Sequence, residues 1–251
     1  MSFENGPKKI LKLANLSIFY RNKSLLRNIS FSIEQNSLTS IWGPSGVGKT
    51  TLLRSMNRLL EEEYGFKCHG KIFFHNQDIF RKRYNVYALR RSIGIVFQKP
   101  VIFPISISKN VVFGVHHLNL AKKKQYDAIV ETHLKEVSLW DEVKDRLDDS
   151  ALELSLGQQQ RLAIARTLAV DPEIILMDEP SSSLDQQATN KIEELILKLK
   201  KNRTIVLVTH QWKQAKHLSD QIIELQANHQ LGASCTKVFK PGQQPSASMS
   251  H

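Results

Sequence analysis

The chain has 251 residues, 41% of them hydrophobic and 24% charged. Those proportions lie near the soluble globular average and exclude a disordered chain, a collagen-like repeat and a disulfide scaffold. Lys and Arg number 35 against 24 for Asp and Glu, and the resulting +11 suits nucleic acid, an acidic membrane surface or a phosphorylated ligand. In chain order, residues 10–20 and 25–33 alternate apolar and polar positions, the pattern of half-buried strands. Residues 38–42 form a short apolar strand that runs into GPSGVGKT, and Leu52, Leu53, Met56, Leu59 and Leu60 then share one helical face. Residues 93–97 read as a buried strand, followed by a loop marked by Pro100 and Pro104 and a mostly helical stretch over 106–168. Strands over 174–178, 204–208 and 222–225 alternate with a helix carrying Ile192, Leu195, Ile196 and Leu199 and another after Gln211. Such alternation predicts a parallel sheet covered on both faces. From Gln226 onward the chain is rich in Gln, Ser, Gly and Pro, and is expected to fray.

Two motifs carry chemistry on their own. Gly43, Pro44, Ser45, Gly46, Val47, Gly48, Lys49 and Thr50, with Thr51 next, fit G-x-x-x-x-G-K-[ST] between a strand and a helix. Glycines let backbone N–H groups turn toward phosphate oxygens, and the helix start adds partial positive charge. Lys49 would neutralise the β- and γ-phosphates, and the Thr50 hydroxyl would ligate Mg²⁺. The second motif, IILMDE, ends an apolar strand in Asp178 and Glu179. Carboxylates at such a tip need solvent or a task. Beside a phosphate loop, Asp178 is the Mg²⁺ partner and Glu179 orients and polarises the attacking water. A third run, LSLGQQQR, precedes an amphipathic helix, with Ser155 as its N-cap and Gly157 permitting close backbone approach.

The ordered set of phosphate loop, LSLGQQQR, ILMDEP, SSSLD and VTH resembles the ATP-binding subunit of ATP-binding-cassette (ABC) transporters, over about residues 10–225. The resemblance implies an α/β, ABC-type P-loop NTPase with a RecA-like core, an antiparallel β subdomain and a helical subdomain. It places the cassette at 8–228, its helical subdomain at about 99–168 and a flexible tail at 229–251. Tyr20 matches the aromatic that stacks on adenine, and Gln98 the glutamine that contacts Mg²⁺ or water and senses the membrane subunit. Ser155, Gly157 and Gln158 match the signature that meets the γ-phosphate bound by the other subunit. Asp185 matches the acidic residue linking the two active sites, and His210 the histidine at the γ-phosphate. Four departures stand out: Leu156 for the first signature glycine, Arg21 where glycine usually follows the aromatic, SSSLD for TSALD, and a divergent end after TKVFKP. Leu156 is expected to turn its side chain toward the helical subdomain core.

Within the family, RRSIGIVFQKPVIFPISISKNVVFG, DEVKDRL and LSLGQQQR are similar to the ATPases of phosphate importers. The implied function is ATP hydrolysis, with Mg²⁺, that energises import of inorganic phosphate. The implied assembly is a homodimer on two integral membrane permease subunits, served indirectly by a phosphate-binding protein. Alternatives are an ABC ATPase of another solute importer and a soluble ABC ATPase of DNA repair or translation. The latter usually has paired cassettes or long coiled-coil insertions, which are not visible here. A non-hydrolysing regulatory cassette is disfavoured by Lys49, Asp178, Glu179 and His210. The basic run Arg81-Lys-Arg-Tyr with Arg90 and Arg91 reads as a solvated face, equally attractive to an acidic inner leaflet. It has no series of aromatics for base stacking, so no nucleic-acid partner is expected. No apolar run approaches the roughly 18 residues of a spanning helix. The first residues lack a signal-peptide core, and Cys68 and Cys235 show no metal spacing. The expected location is the cytoplasmic face of the cell membrane, as a peripheral subunit.

Overall fold

A computed structural model describes residues 8–228 and 233–239. It divides into two units, one made of the chain up to Arg90 and from Lys200 onward, the other of Arg91–Leu199.

In the first unit, β1 (Lys9–Tyr20) and β2 (Lys23–Glu34) form an antiparallel hairpin. Tyr20 pairs with Lys23 across a two-residue turn in which Arg21 (φ 45°) and Asn22 (φ 68°) are both left-handed. That is the type I′ geometry that follows strand twist. β4 (Phe66–Phe74) pairs with the other side of β1, and β5 (Gln77–Asp78) with β4, giving the antiparallel order β2-β1-β4-β5. The expected antiparallel part is present.

β3 (Leu38–Trp42) lies parallel to both β8 (Thr204–Thr209) and β9 (Gln221–Asn228). Every residue of β3 and β8 is buried, as in strands covered on two faces. Helices α1 (Lys49–Ser55) and α8 (Trp212–Leu218) follow β3 and β8 and pack back on them. β10 (Ala233–Phe239) pairs antiparallel with β9, Phe239 opposite Ile222. Phe239 packs on a cluster of Trp42, Ala215 and Ile222 that also takes Trp212. The tail expected to be flexible from 229, and to fray from Gln226, therefore contains a strand. Residues 226–228 belong to β9, while 229–232 and 240–251 lie outside the described residues.

α2 (Val86–Ser92) carries the chain into the second unit, where β6 (Ile93–Val96) and β7 (Ile174–Asp178) run parallel. Between them lie α3 (Ile107–His117), α4 (Tyr126–Glu136), α5 (Trp140–Val143) and α6 (Leu156–Leu168). All four fall within the span expected to be helical, and α3 and α4 pack on α6. Asn110, fully buried in α3, donates to the Phe103, Ile105 and Ser106 carbonyls and so shapes the loop before its own helix. α7 (Gln186–Leu199) buries Ile192, Leu195, Ile196 and Leu199, the stripe read from the sequence.

Candidate functional site

The first unit supplies a glycine-built loop at the carboxyl end of β3. Trp42 pairs with Thr209, so the next residues, Gly43 and His210, leave neighbouring strands at the same edge. The Trp42 indole N–H donates to the His210 carbonyl at 3.2 Å, fastening the two strand ends. A Cβ on Gly43 would sit 2.5 Å from the Leu225 carbonyl oxygen, so a side chain is excluded there. Gly48, left-handed at φ 100°, precedes α1 with no side-chain cap. Ser45 and Gly46 are exposed at the crest of the loop, while Pro44 and Thr50 are half-buried. Lys49 is buried, and its Nζ donates to the Gly43 and Pro44 carbonyls at 2.9 Å each. In this state the ammonium is folded onto the backbone of its own loop. His210 is exposed. Tyr20 ends β1 half-buried, its ring 4.8 Å from Phe66, with the Arg21 guanidinium 5.3 Å above it.

The second unit supplies the carboxylates. β7 is buried throughout and delivers Asp178, 4% exposed, at its end. Glu179 follows in a left-handed conformation, φ 45°, rare for a side chain this size. Such a position costs roughly 1–3 kcal/mol and persists where surroundings over-determine it. Its carbonyl accepts from the Ser182 N–H at 3.2 Å and the Ser182 hydroxyl at 3.1 Å. The same hydroxyl accepts from Gln98 Nε2 at 3.0 Å. Gln98 and Glu179 are thus joined through Ser182, which the sequence did not single out. The only signal for it was its place between ILMDEP and the aspartate of SSSLD.

Asp185 caps α7: its Oδ1 accepts from the Ala188 N–H at 2.8 Å. Ser155 caps α6, as expected, accepting from the Gln158 N–H at 3.3 Å, while Gln158 Oε1 accepts from the Ser155 N–H at 2.9 Å. This is a reciprocal capping box. The other end of the Gln158 amide donates to Glu142 at 3.0 Å. The Gln158 side chain, expected at a phosphate, is here committed at both ends to protein. A Cβ on Gly157 would meet the Ala188 Cβ at 3.1 Å, so glycine lets α6 start close to α7. Leu156 is 43% exposed and lines an open cavity of ≈ 270 Å³ with Ser155, Gly157, Asp185, Lys191 and Glu142. Its side chain does not enter the helical core, contrary to expectation. The first turn of α6 points it outward because the buried face begins only at Gln160. Arg161 hydrogen bonds hold the Glu142 carboxyl down to about 2.

The first unit offers a cationic group beside a glycine-built loop, and the second offers oxygen ligands of the kind that hard cations take. Among the described residues no cluster of three His, Cys, Asp or Glu side chains occurs. A metal here would lean on phosphate and water oxygens, as Mg²⁺ does.

Residues 26–182 match the family model described as ABC transporter. The chain is 49% identical over 213 residues to the phosphate import ATP-binding protein PstB of Thermotoga maritima, covering 85% of each. It is 46% identical over 230 residues to the protein of the same name from Mycoplasma mobile, covering 91% of this chain and 82% of that one. Among solved structures, CbiO1 of Clostridium perfringens, part of the ABC transporter complex CbiONQ, superposes with a TM-score of 0.79 at 29% identity. That match covers 93% of this chain and 89% of that one. A bacterial Atm1-family ABC exporter with ATP bound gives 0.76 at 27% identity, covering 96% of this chain and 41% of the exporter.

Proposed function

The chain belongs to the ABC transporter family, and from that premise we propose that it is the ATPase subunit that energises import of inorganic phosphate through separate permease subunits. The nucleotide chemistry is carried by one observation: a buried lysine in a glycine-built loop, its ammonium donating to two backbone carbonyls of that loop. Exchanging those carbonyls for β- and γ-phosphate oxygens sets negative charge opposite the ammonium and adds Coulomb attraction to the hydrogen bonds. Gly43 to Thr51 wrap the phosphates and Tyr20 meets the base. Thr50, Asp178 and Gln98 are the Mg²⁺ ligands. Mg²⁺, when bound, would supply positive charge that offsets the charge developing on the terminal phosphates.

Glu179 positions and polarises water, its backbone fixed by Ser182, and His210 meets the γ-phosphate from the end of β8. Two copies pair head to tail, so that Ser155 and Gly157 of one complete the nucleotide site of the other, with Asp185 between sites. ATP binds the closed pair better than the open one, and hydrolysis removes that difference. No described helix is long and apolar enough to cross a membrane. The solute's path therefore belongs to two permease subunits, with this chain on their cytoplasmic side. Phosphate is favoured over other solutes by the 46–49% identity to four proteins named for phosphate import.

Calorimetry on the purified chain tests the division of labour. Mg-ATP should bind, and inorganic phosphate should not bind independently of the nucleotide site. Tight phosphate binding unaffected by Lys49→Ala overturns the proposal. In cells, loss of the chain should abolish high-affinity phosphate uptake; unchanged uptake with a lost response to another solute would reassign the transporter.

A further inference from the structure

Side chains from two helices converge on one carboxylate beside the start of α6. Glu142, in the short helix α5, accepts from both terminal nitrogens of Arg161, at 3.0 and 2.9 Å. It accepts from Gln158 Nε2 at 3.0 Å, and Lys191 of α7 reaches it at 3.4 Å. The Arg161 side chain is only 6% exposed, so Glu142 is the counter-charge of a buried guanidinium. Arg161 also donates to the Ser138 carbonyl, tying α6 to the segment that carries Glu142.

A glutamine amide can present either end, and the two differ by a half-turn of the side chain. The Ser155 N–H needs an acceptor, and Gln158 provides Oε1 at 2.9 Å only if Nε2 faces the other way. Glu142 is ionised and accepts only, so it stabilises that orientation and opposes the flipped one. The flipped amide would set two donors against each other at the cap and two acceptors against each other at Glu142. We infer that Glu142 is a positioning residue for the start of α6: it selects the orientation of the Gln158 amide and so places Ser155 and Gly157 for the nucleotide held by a second copy. This rests on the head-to-tail pairing proposed above.

The test separates nucleotide binding at the phosphate loop from ATP-driven pairing. In a Glu179→Gln background, Mg-ATP affinity is measured at dilutions where the chain is monomeric, and pairing by sedimentation with saturating Mg-ATP. Adding Glu142→Gln, which matches the carboxylate in shape but offers a donor as well as an acceptor, should weaken pairing at least about tenfold. Monomer affinity for Mg-ATP should stay within about twofold, since the phosphate loop is untouched. A simple loss of folding would depress both together. Glu142→Asp, which keeps a negative charge opposite Arg161 but withdraws the carboxylate from Gln158 by one methylene, is the second variant, used where Glu142→Gln lacks a cooperative melt; it should show the same split. Equal pairing in the folded variants, or equal loss in both measurements, overturns the inference alone. A Glu179→Gln parent that binds Mg-ATP and never pairs overturns the dimer, and the inference with it.

Discussion

Two helix starts in this chain face the same chemical task and meet it in opposite ways. α1 begins at Gly48, left-handed and without a side-chain cap. α6 begins at Ser155, extended, with its hydroxyl and the Gln158 amide closing a reciprocal box. A helix start leaves several N–H groups without intrahelical partners. At α1 no side chain caps them, and phosphate is the partner that fits. At α6 the box already occupies the Ser155 and Gln158 N–H groups, so what remains for phosphate is the backbone at 156 and 157 and a change of partner by the Ser155 hydroxyl. The first start has no side-chain cap. The second is capped by its own side chains.

That contrast breaks most severely at Lys49. Lys49→Ala removes the only charged group of the loop, and affinity for Mg-ATP should fall about 100-fold or more, in line with loss of a charge-assisted contact to two phosphates. A melt alongside the titration separates loss of binding from loss of folding. Glu179→Gln comes next. The amide keeps the shape but cannot polarise water, so turnover should drop by roughly 10²–10⁴ with Mg-ATP affinity retained. Size-exclusion chromatography with ATP should then show a trapped dimer. Hydrolysis at the parental rate would remove Glu179 from the reaction.

At α6 the same logic predicts a stability effect absent from α1. Ser155→Ala deletes the cap and should cost roughly 1 kcal/mol in unfolding free energy, read from urea melts without nucleotide. No substitution at Gly48 has an equivalent, because no cap exists there to lose; Gly48→Ala instead forces a left-handed Cβ within 2.9 Å of Leu26. Glu142 adds a pH signature. Its carboxyl sits at about 2, against an ordinary 4.5, held down first by Arg161. A depressed folded value means stability present above the unfolded value and lost as pH falls through the window from about 4.5 to about 2. Glu142→Gln should flatten that part of the acid limb of the stability curve. An unchanged limb would show that the pair with Arg161 is too well solvated to matter.

How far these features could be read from the sequence follows from their range. The glycine loop between β3 and α1, the β7 tip and the Ser155 cap are local, each made by residues within a few positions, and each lies between the elements that the sequence predicts. The stripe of α7 is equally local. The Glu142 hub joins residues 16, 19 and 49 positions apart, and no periodicity announces such a meeting. The β10 strand was hidden by composition: Gln, Ser and Gly around it suggest fraying, yet its Phe239 is packed against Trp42. Burying an aromatic of that size contributes roughly 1.5–3 kcal/mol when complete, enough to hold a short edge strand. Arg21 and Asn22 concealed a type I′ turn because neither is the glycine that usually marks one.

The smallest effect is expected at Leu156, the residue that departs from the signature pattern. Its backbone is helical and it is absent from the left-handed positions, so the site imposes no conformation that a leucine resists. Its side chain is 43% exposed on the cavity wall, so removing it forfeits little buried area. Glycine there would raise the flexibility of the first turn, a cost of up to about 1 kcal/mol to the helix. The groups proposed to meet phosphate, the Ser155 hydroxyl and the backbone at 156 and 157, are present with either residue. Leu156→Gly should therefore change ATPase turnover only a few-fold, equivalent to about 1 kcal/mol or less in the barrier. Gly157→Asp is the sharp contrast, because its side chain starts 3.1 Å from Ala188 and brings negative charge to the face proposed to meet phosphate. That variant should lose dimer-dependent hydrolysis altogether. If Leu156→Gly instead raised a nearly silent enzyme by orders of magnitude, the leucine would be a block on pairing, and a competent second subunit would be required to drive transport.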